Sequence, residues 1–144
     1  MDFSYARIPI VNLAKKQVID YVYRPIIKIG IKKEFNGNSE YIDYRALIDS
    51  GADDCLFPWE LADLAGLTIK EANGKVFRGL GSGSIIGYKT DIRLYLGGIT
   101  VFTEVYFSRN LIGHGILGQR GFFDKFRIRF IYSKKRIEIV EERR

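Results

Sequence analysis

Apolar and polar residues alternate along most of the chain, and glycine, proline or asparagine separates one alternating run from the next. Alternation with a period of two puts every second side chain on the same face, so it predicts β-strands rather than helices. The predicted strands are residues 7–11, 18–32, 41–48, 75–78, 85–96, 99–107, 126–132 and 136–140. So many strands with short connections predict a mainly antiparallel β fold and favour a closed, barrel-like one.

Residues typical of turns and of short helices lie between most of these strands. The Asn-Gly pairs at 36–37 and 73–74 predict hairpin turns, because these residues tolerate the positive φ that such turns need. Pro25 has no N–H to donate, so it predicts an edge or a bend within its strand. Residues 58–66, with proline near the start and glycine at the end, predict a short helix. Residues 119–125 predict one or two further helical turns.

The 144-residue chain has the length of one domain and an ordinary globular composition, with 47% apolar and 28% charged residues. This balance argues against disorder, and the length allows one core but not two full catalytic lobes. We therefore expect a single domain over residues 1–144. The 23 Lys and Arg against 17 Asp and Glu give a charge of +6, which is more typical of excess surface lysine than of a nucleic-acid site.

The numbers of cysteine and histidine residues limit which disulfides and metal sites the chain can form. Cys55 is the only cysteine and His114 the only histidine, so the sequence predicts neither an internal disulfide nor a zinc cluster. The first residues lack a basic segment followed by a long apolar one, and no apolar run approaches the roughly 20 residues that span a bilayer. We expect a cytoplasmic protein with no membrane association and no metal or other cofactor.

The most informative segment is residues 46–54, where an apolar strand runs directly into Asp49, Ser50 and Gly51. Burying a carboxylate at a strand end is costly, so the pattern indicates an aspartate held at the floor of a cleft. The Ser50 hydroxyl can hydrogen-bond the backbone, and Gly51 allows a tight turn. Taken alone, these three residues are more typical of an ordinary turn.

Three segments that follow one another along the chain change that interpretation. Residues 47–52, Leu-Ile-Asp-Ser-Gly-Ala, resemble the catalytic loop of the retropepsin-like aspartic proteases, the family of the retroviral proteases. The glycine-rich residues 79–84 between two strands resemble the family's flap. Residues 115–118, Gly-Ile-Leu-Gly, resemble its second signature. The resemblance covers residues 45–130, and residues 1–30 are an N-terminal extension of strands.

The resemblance implies a retropepsin-like β fold with a flap hairpin, and an aspartic endopeptidase activity on peptide or protein substrates. It implies that Asp49 is the catalytic residue and that Ser50 and Gly51 shape its loop. The residues implied to bind substrate are Ala52, Asp53, Leu56, Leu80, Gly81, Ser82, Gly83, Ile85 and Ile116.

One active site of this kind needs two aspartate loops. One carboxylate acts as a base on a water, while the other, protonated, polarises the scissile carbonyl. The chain supplies one such loop, because neither Asp91 nor Asp124 is followed by Ser/Thr-Gly. A symmetric homodimer supplies the second Asp49. Residues 136–140 alternate like an edge strand, which predicts that the chain ends extend the dimer contact.

The sequence departs from the retroviral pattern after its second signature. Gln119 stands where the retroviral enzymes usually carry arginine, and Arg120 comes next. In the family this arginine braces an acidic residue that corresponds to Asp53. Either Arg120 or Arg7 takes that place, or the brace is missing.

Two other functions stay open. One is a peptide-binding or dimerisation module without turnover, although the intact Asp-Ser-Gly loop argues against it. The other is a small β-barrel that binds nucleic acid, supported only by charge and scattered aromatic residues. A phosphate loop at residues 79–84 lacks the required Lys-Ser/Thr and helix. Cys55 is expected to be a packed residue rather than a nucleophile, and His114 a polar loop residue that could also line a substrate pocket.

Overall fold

A computed structural model describes residues 1–34, 40–79 and 83–143 of the chain. Its strands are β1 (Asp2–Ser4), β2 (Ala6–Asn12), β3 (Gln17–Arg24), β4 (Ile26–Lys32), β5 (Tyr41–Ile48), β6 (Leu56–Pro58), β7 (Lys75–Arg78), β8 (Ser84–Leu96), β9 (Ile99–Ser108), β10 (Gly115–Leu117), β11 (Phe126–Ile131) and β12 (Arg136–Glu141). The predicted short helix is present as α1 (Trp59–Leu64), and a 3-10 turn at Tyr132–Lys134 joins β11 to β12.

The main sheet contains seven strands in the order β4-β5-β10-β6-β9-β8-β7. An additional pairing of β4 with β8 joins its two sides, so six of these strands close into a ring. Most pairings are antiparallel, but β10 runs parallel to β5 and β6 runs parallel to β9. The mainly β fold is therefore confirmed, and the two parallel pairings are its departure from the expected antiparallel arrangement.

Alternate residues of the long strands point into the ring. Ile92, Leu94 and Leu96 of β8 are almost completely buried, whereas the residues between them are exposed. Phe57 of β6 and Phe107 of β9 pack with their ring centroids 5.9 Å apart. Burying each such side chain stabilises the fold by about 1.5–3 kcal/mol, so the period-two pattern decides which face of a strand lies inside.

The two ends of the chain pair with each other. β12 is hydrogen-bonded to β11 on one side and to β1 on the other, so it is the central strand of a three-stranded sheet. The expectation that residues 136–140 form an edge strand is therefore wrong. Ile137 and Ile139 face the core, and a central strand with one buried face alternates in the same way as an edge strand.

β2 and β3 form a separate antiparallel hairpin that precedes the ring. Pro25 separates this hairpin from β4, as its missing N–H predicts. The Pro25 carbonyl accepts a hydrogen bond from the Ile48 N–H at 2.9 Å. The root of the hairpin is thereby fixed beside the end of β5.

Two local predictions are wrong. Residues 119–125 form hydrogen-bonded turns rather than a helix, because Gly121 adopts φ = +101° and interrupts the helical path. The Asn-Gly pair at 73–74 leads into β7, but no strand lies between α1 and β7, so it does not join two paired strands. The pair at 36–37 lies outside the described residues. No helix in the described ranges has the length and apolar character to cross a bilayer.

Candidate active site

Asp49 lies where two segments that are far apart in sequence meet. β5 ends at Ile48, and the Asp49 N–H donates to the Leu117 carbonyl at 3.0 Å. β10 runs parallel to β5 with Ile116 opposite Leu47. The first and third sequence motifs are therefore adjacent strands, and Asp49 is partly exposed at their common end.

Hydrogen bonds hold the Asp49 loop (residues 49–53) in one shape. The Asp49 carboxylate accepts a hydrogen bond from the Gly51 N–H at 2.9 Å, and the Asp49 carbonyl accepts one from the Ala52 N–H at 3.2 Å. Gln119 holds the loop from the neighbouring segment. Its Nε2 donates to the Ser50 carbonyl at 2.7 Å, and its backbone N–H donates to the Ala52 carbonyl at 2.8 Å.

Gly118 lets these two segments approach. A methyl group at this position would lie 2.3 Å from the Asp54 carbonyl oxygen and 2.7 Å from the Ala52 carbonyl oxygen. Both distances are well below van der Waals contact, so a side chain at this position would push the Asp49 loop away from β10.

A buried ion cluster lies directly after the loop. The Asp54 carboxylate is almost completely buried and accepts hydrogen bonds from Arg120 Nε at 2.8 Å, from Arg120 Nη2 at 3.0 Å and from Lys75 Nζ. Burial by itself raises the pKa of a carboxyl. Here the hydrogen bonds and charges of Arg120 and Lys75 outweigh burial, so the pKa of Asp54 lies below its usual value.

Arg120, one of the two arginines considered as the brace for Asp53, binds the neighbouring Asp54 instead. The Arg120 guanidinium is paired with Asp54, and only its backbone N–H reaches the Asp53 carbonyl, at 2.8 Å. Arg7 lies over the Tyr21 ring, 4.4 Å from the centroid. Asp53 is exposed. The sequence could not separate the two acidic residues because they are adjacent, and burial alone distinguishes them.

The predicted substrate-binding residues other than Asp53 lie in different parts of the structure. Ala52 and Ile116 are half-buried near Asp49. Leu56 pairs with Ile116 across β6 and β10 but is only 4% exposed, so its side chain belongs mainly to the core. Gly83 and Ile85 lie at the hairpin of β7 and β8, exposed and half-buried respectively. Leu80, Gly81 and Ser82 lie outside the described residues.

β7 and β8, the strands on either side of the glycine-rich segment, pair antiparallel, and strands were predicted at both positions. Phe77 pairs with Ile85, and the Phe77 ring packs edge-on against Tyr106 of β9 with centroids 5.1 Å apart. Val76 and Ile86 are exposed. Neighbouring residues of a strand point to opposite faces, so one face of the hairpin is anchored to the ring through Phe77, and the cross-strand pair of Val76 and Ile86 presents apolar side chains on the other face.

Cys55 lies close to the Asp49 loop but is buried in the core, with 1% of its surface exposed. Burial raises the pKa of its thiol to about 12. A thiol with such a pKa stays protonated at neutral pH, which agrees with the expectation of a packed residue.

Two open cavities are lined in part by residues already named. One, of about 530 Å³, is lined by residues including Arg45 and His114, so the histidine is exposed in a pocket. The other, of about 400 Å³, is lined by residues including Asp54 and Arg120. Asp49 lines neither of these two cavities.

Comparisons with known proteins identify the fold. No family model matches the chain, and no curated protein matches it in sequence. Among solved structures, EIAV protease complexed with the inhibitor HBY-793 is similar at a TM-score of 0.51 and 20% identity, over 67% of this chain and 82% of that chain. The retroviral protease-like domain of Ddi1 from Leishmania major is similar at 0.50 and 18%, over 66% and 71%.

A retropepsin-like aspartic protease from Rickettsia conorii is similar over nearly the whole chain. Its TM-score is 0.55 at 14% identity, over 96% of this chain and 99% of that chain. This similarity extends beyond the motif-bearing residues 45–130. The chain therefore has the retropepsin-like aspartic protease fold, as its three motifs indicated.

Proposed function

We propose that the protein is an aspartic endopeptidase whose active form is a homodimer with one Asp49 from each chain. The position of Asp49 carries this proposal. Asp49 is partly exposed at the end of β5, in a loop held by a hydrogen bond from its own Gly51 and by one from Gln119 of a separate segment. Such support is expected for a carboxylate that must keep one position during a reaction. The retropepsin-like fold supports the same role by analogy.

Two features favour a site shared between two chains. Asp54, the buried carboxylate nearest to the loop in sequence, is already paired with Arg120 and Lys75, so it is not available as the second catalytic acid. Asp49 is also partly exposed and lines neither of the two cavities described above, whereas peptide hydrolysis needs an enclosed cleft. A twofold axis between two Asp49 loops supplies both the second carboxylate and the opposite wall.

The chemistry follows from one proton shared by the pair, because two like charges at close range do not both ionise readily. The ionised carboxylate takes a proton from a bound water, and the water oxygen bonds to the scissile carbonyl carbon. The protonated carboxylate gives its proton to the carbonyl oxygen. When the resulting diol collapses, the C–N bond breaks, one proton passes to the amine nitrogen, and the pair keeps one shared proton.

In this proposal the β7–β8 hairpin acts as the flap. One face of the hairpin is anchored through Phe77, and Val76 and Ile86 are exposed on the other, which suits a cover that closes on an extended peptide with apolar side chains near the cut. The peptide would bind by strand-like hydrogen bonds between this hairpin and the Asp49 loop.

Digestion of a diverse peptide mixture between about pH 3 and pH 9 tests the proposal, with Asp49→Asn and the matched control Asp91→Asn. Asp91 is an exposed aspartate on β8. We expect the wild type and the control to cleave with a bell-shaped profile on the acidic side of neutral. Loss of the shared carboxylate should reduce cleavage by about 10²–10⁴-fold in Asp49→Asn.

Unchanged cleavage by Asp49→Asn would contradict the assignment, as would a rate that rises steadily up to pH 9. A wild-type dimer that cleaves nothing at any pH would favour the module without turnover.

A further inference from the structure

The hairpin of β2 and β3 concentrates exposed apolar surface. Of the fifteen large apolar residues that are exposed in the described chain, the six on this hairpin are Ile10, Val11, Leu13, Val18, Ile19 and Tyr21. Val11 and Val18 are direct cross-strand neighbours. A two-stranded hairpin is marginally stable by itself in water, and exposed apolar side chains concentrated on one element mark an interaction site. These observations indicate that the hairpin packs on something outside its own chain.

The root of this hairpin lies beside the Asp49 loop. Pro25, which ends the hairpin, accepts a hydrogen bond from the N–H of Ile48, the residue before Asp49. At the base of the hairpin the Lys135 ammonium lies 4.7 Å from the centroid of the Tyr23 ring. This contact fixes the lower half of β3 to the three-stranded sheet of β1, β12 and β11, here called the chain-end sheet. The apolar outer half therefore projects from a root adjacent to the proposed twofold axis.

The chain-end sheet leaves less room for a contact between protomers than the sequence indicated. β12 is covered on both edges by β1 and β11, so it does not accept a strand from a second chain. A twofold contact that joins two Asp49 loops also needs surface near those loops. The β2–β3 hairpin is the element rooted there, and an eight-residue strand such as β3 reaches about 25 Å.

We propose that the β2–β3 hairpin is an arm that packs against the partner protomer and holds the homodimer together. The inference rests on the proposed function, because a twofold contact between Asp49 loops is what places the root of each arm next to the other chain. Each arm buries its apolar outer half, including Val11 and Ile19, on the surface of the partner. The contact occurs twice in the symmetric dimer.

The competing occupant is an anionic membrane surface, because Lys15 and Lys16 form the turn of the hairpin beside the exposed Leu13. The position of the root favours the second copy of the chain. Packing on a second copy and binding to a membrane predict different effects of a charge placed on the apolar outer half of the hairpin. The first predicts a weaker dimer, and the second predicts weaker binding to vesicles.

Sedimentation velocity over a dilution series tests the arm, with Ile19→Lys and with Phe102→Lys as the matched control. Ile19 is 61% exposed and Phe102 on β9 is 64% exposed, so both variants should keep the fold of the protomer, which circular dichroism checks. We expect Ile19→Lys to raise the dimer dissociation constant by on the order of tenfold to a hundredfold, because the charge enters the contact twice. The control should dimerise like the wild type.

Hydrogen exchange gives a second readout. The amides of β2 and β3 should become more protected as the wild-type concentration rises through the dissociation constant, and those of Ile19→Lys should not. A dimer of Ile19→Lys as tight as the wild type would overturn the proposal. So would a wild type that stays monomeric, or an Ile19→Lys variant that dimerises normally but no longer binds vesicles containing phosphatidylserine.

These measurements do not require turnover. A dimer that depends on the arm but cleaves no peptide would refute the proposed activity and leave the arm standing. Cleavage that depends on Asp49 in a dimer indifferent to Ile19→Lys would do the reverse.

Discussion

Replacing Gly118 by alanine tests whether the Asp49 loop must touch the segment that follows β10. The added methyl group would lie 2.3 Å from the Asp54 carbonyl oxygen and 2.7 Å from the Ala52 carbonyl oxygen. The Ala52 carbonyl already accepts the Gln119 N–H at 2.8 Å, so moving it away breaks a hydrogen bond. Overpacking of this kind costs about 1–3 kcal/mol, and a lost hydrogen bond costs about 1 kcal/mol.

We take about 3 kcal/mol as the expected loss in the free energy of unfolding. For a chain of 144 residues, an unfolding entropy of about 2.1 cal/mol/K per residue gives about 300 cal/mol/K in all. The melting temperature should therefore fall by about 10 °C. Peptide cleavage at a temperature where the variant is folded should also fall, because the clash displaces the loop that carries Asp49.

Thermal unfolding followed by circular dichroism measures the change, with Gly79→Ala as the control. An added methyl group at Gly79 meets nothing within 4 Å, so the control should melt within about 2 °C of the wild type. A Gly118→Ala variant that melts as high as this control would refute the argument that the two segments require glycine at their contact.

Two further predictions concern the groups beside the loop. Asp54→Asn should lower the free energy of unfolding most near neutral pH, because the depressed pKa of Asp54 contributes stability above the carboxyl's unfolded pKa of about 4 and loses it as pH falls through the folded value. Urea unfolding at several pH values measures this, and a loss as large at pH 2 as at pH 7 would contradict it. Cys55, whose pKa burial raises to about 12, should resist iodoacetamide in the folded protein and react once urea unfolds it. Rapid alkylation of the folded protein would show that the thiol is accessible.

The strands and the Asp-Ser-Gly loop could be predicted because each depends on residues that are close together in the sequence. Ile92, Leu94 and Leu96 alternate with polar residues, and burial on one face follows directly from that spacing. The ordered motifs indicated the retropepsin-like fold, whereas the pairing of β5 with β10 is a finding of the structure.

Contacts between distant segments could not be predicted in the same way. Gln119 holds the Ser50 carbonyl across 69 residues, and no local pattern marks that amide as part of the site. The choice of Asp54 over Asp53 for Arg120 depends on which carboxylate is buried. The central position of β12 depends on β1, a three-residue strand too short to show a period.

Mixing wild-type chains with Asp49→Asn chains tests the central claim, a catalytic pair shared by two protomers, most directly. The total concentration is held well above the dissociation constant, the chains are allowed to exchange, and peptide cleavage is measured as the wild-type fraction changes. If each site needs both Asp49 carboxylates, activity follows the square of the wild-type fraction, so an equal mixture retains about a quarter of the wild-type rate. Activity that falls only in proportion to the wild-type fraction, to about half in the equal mixture, would show that each chain works independently of the other and would contradict the shared site.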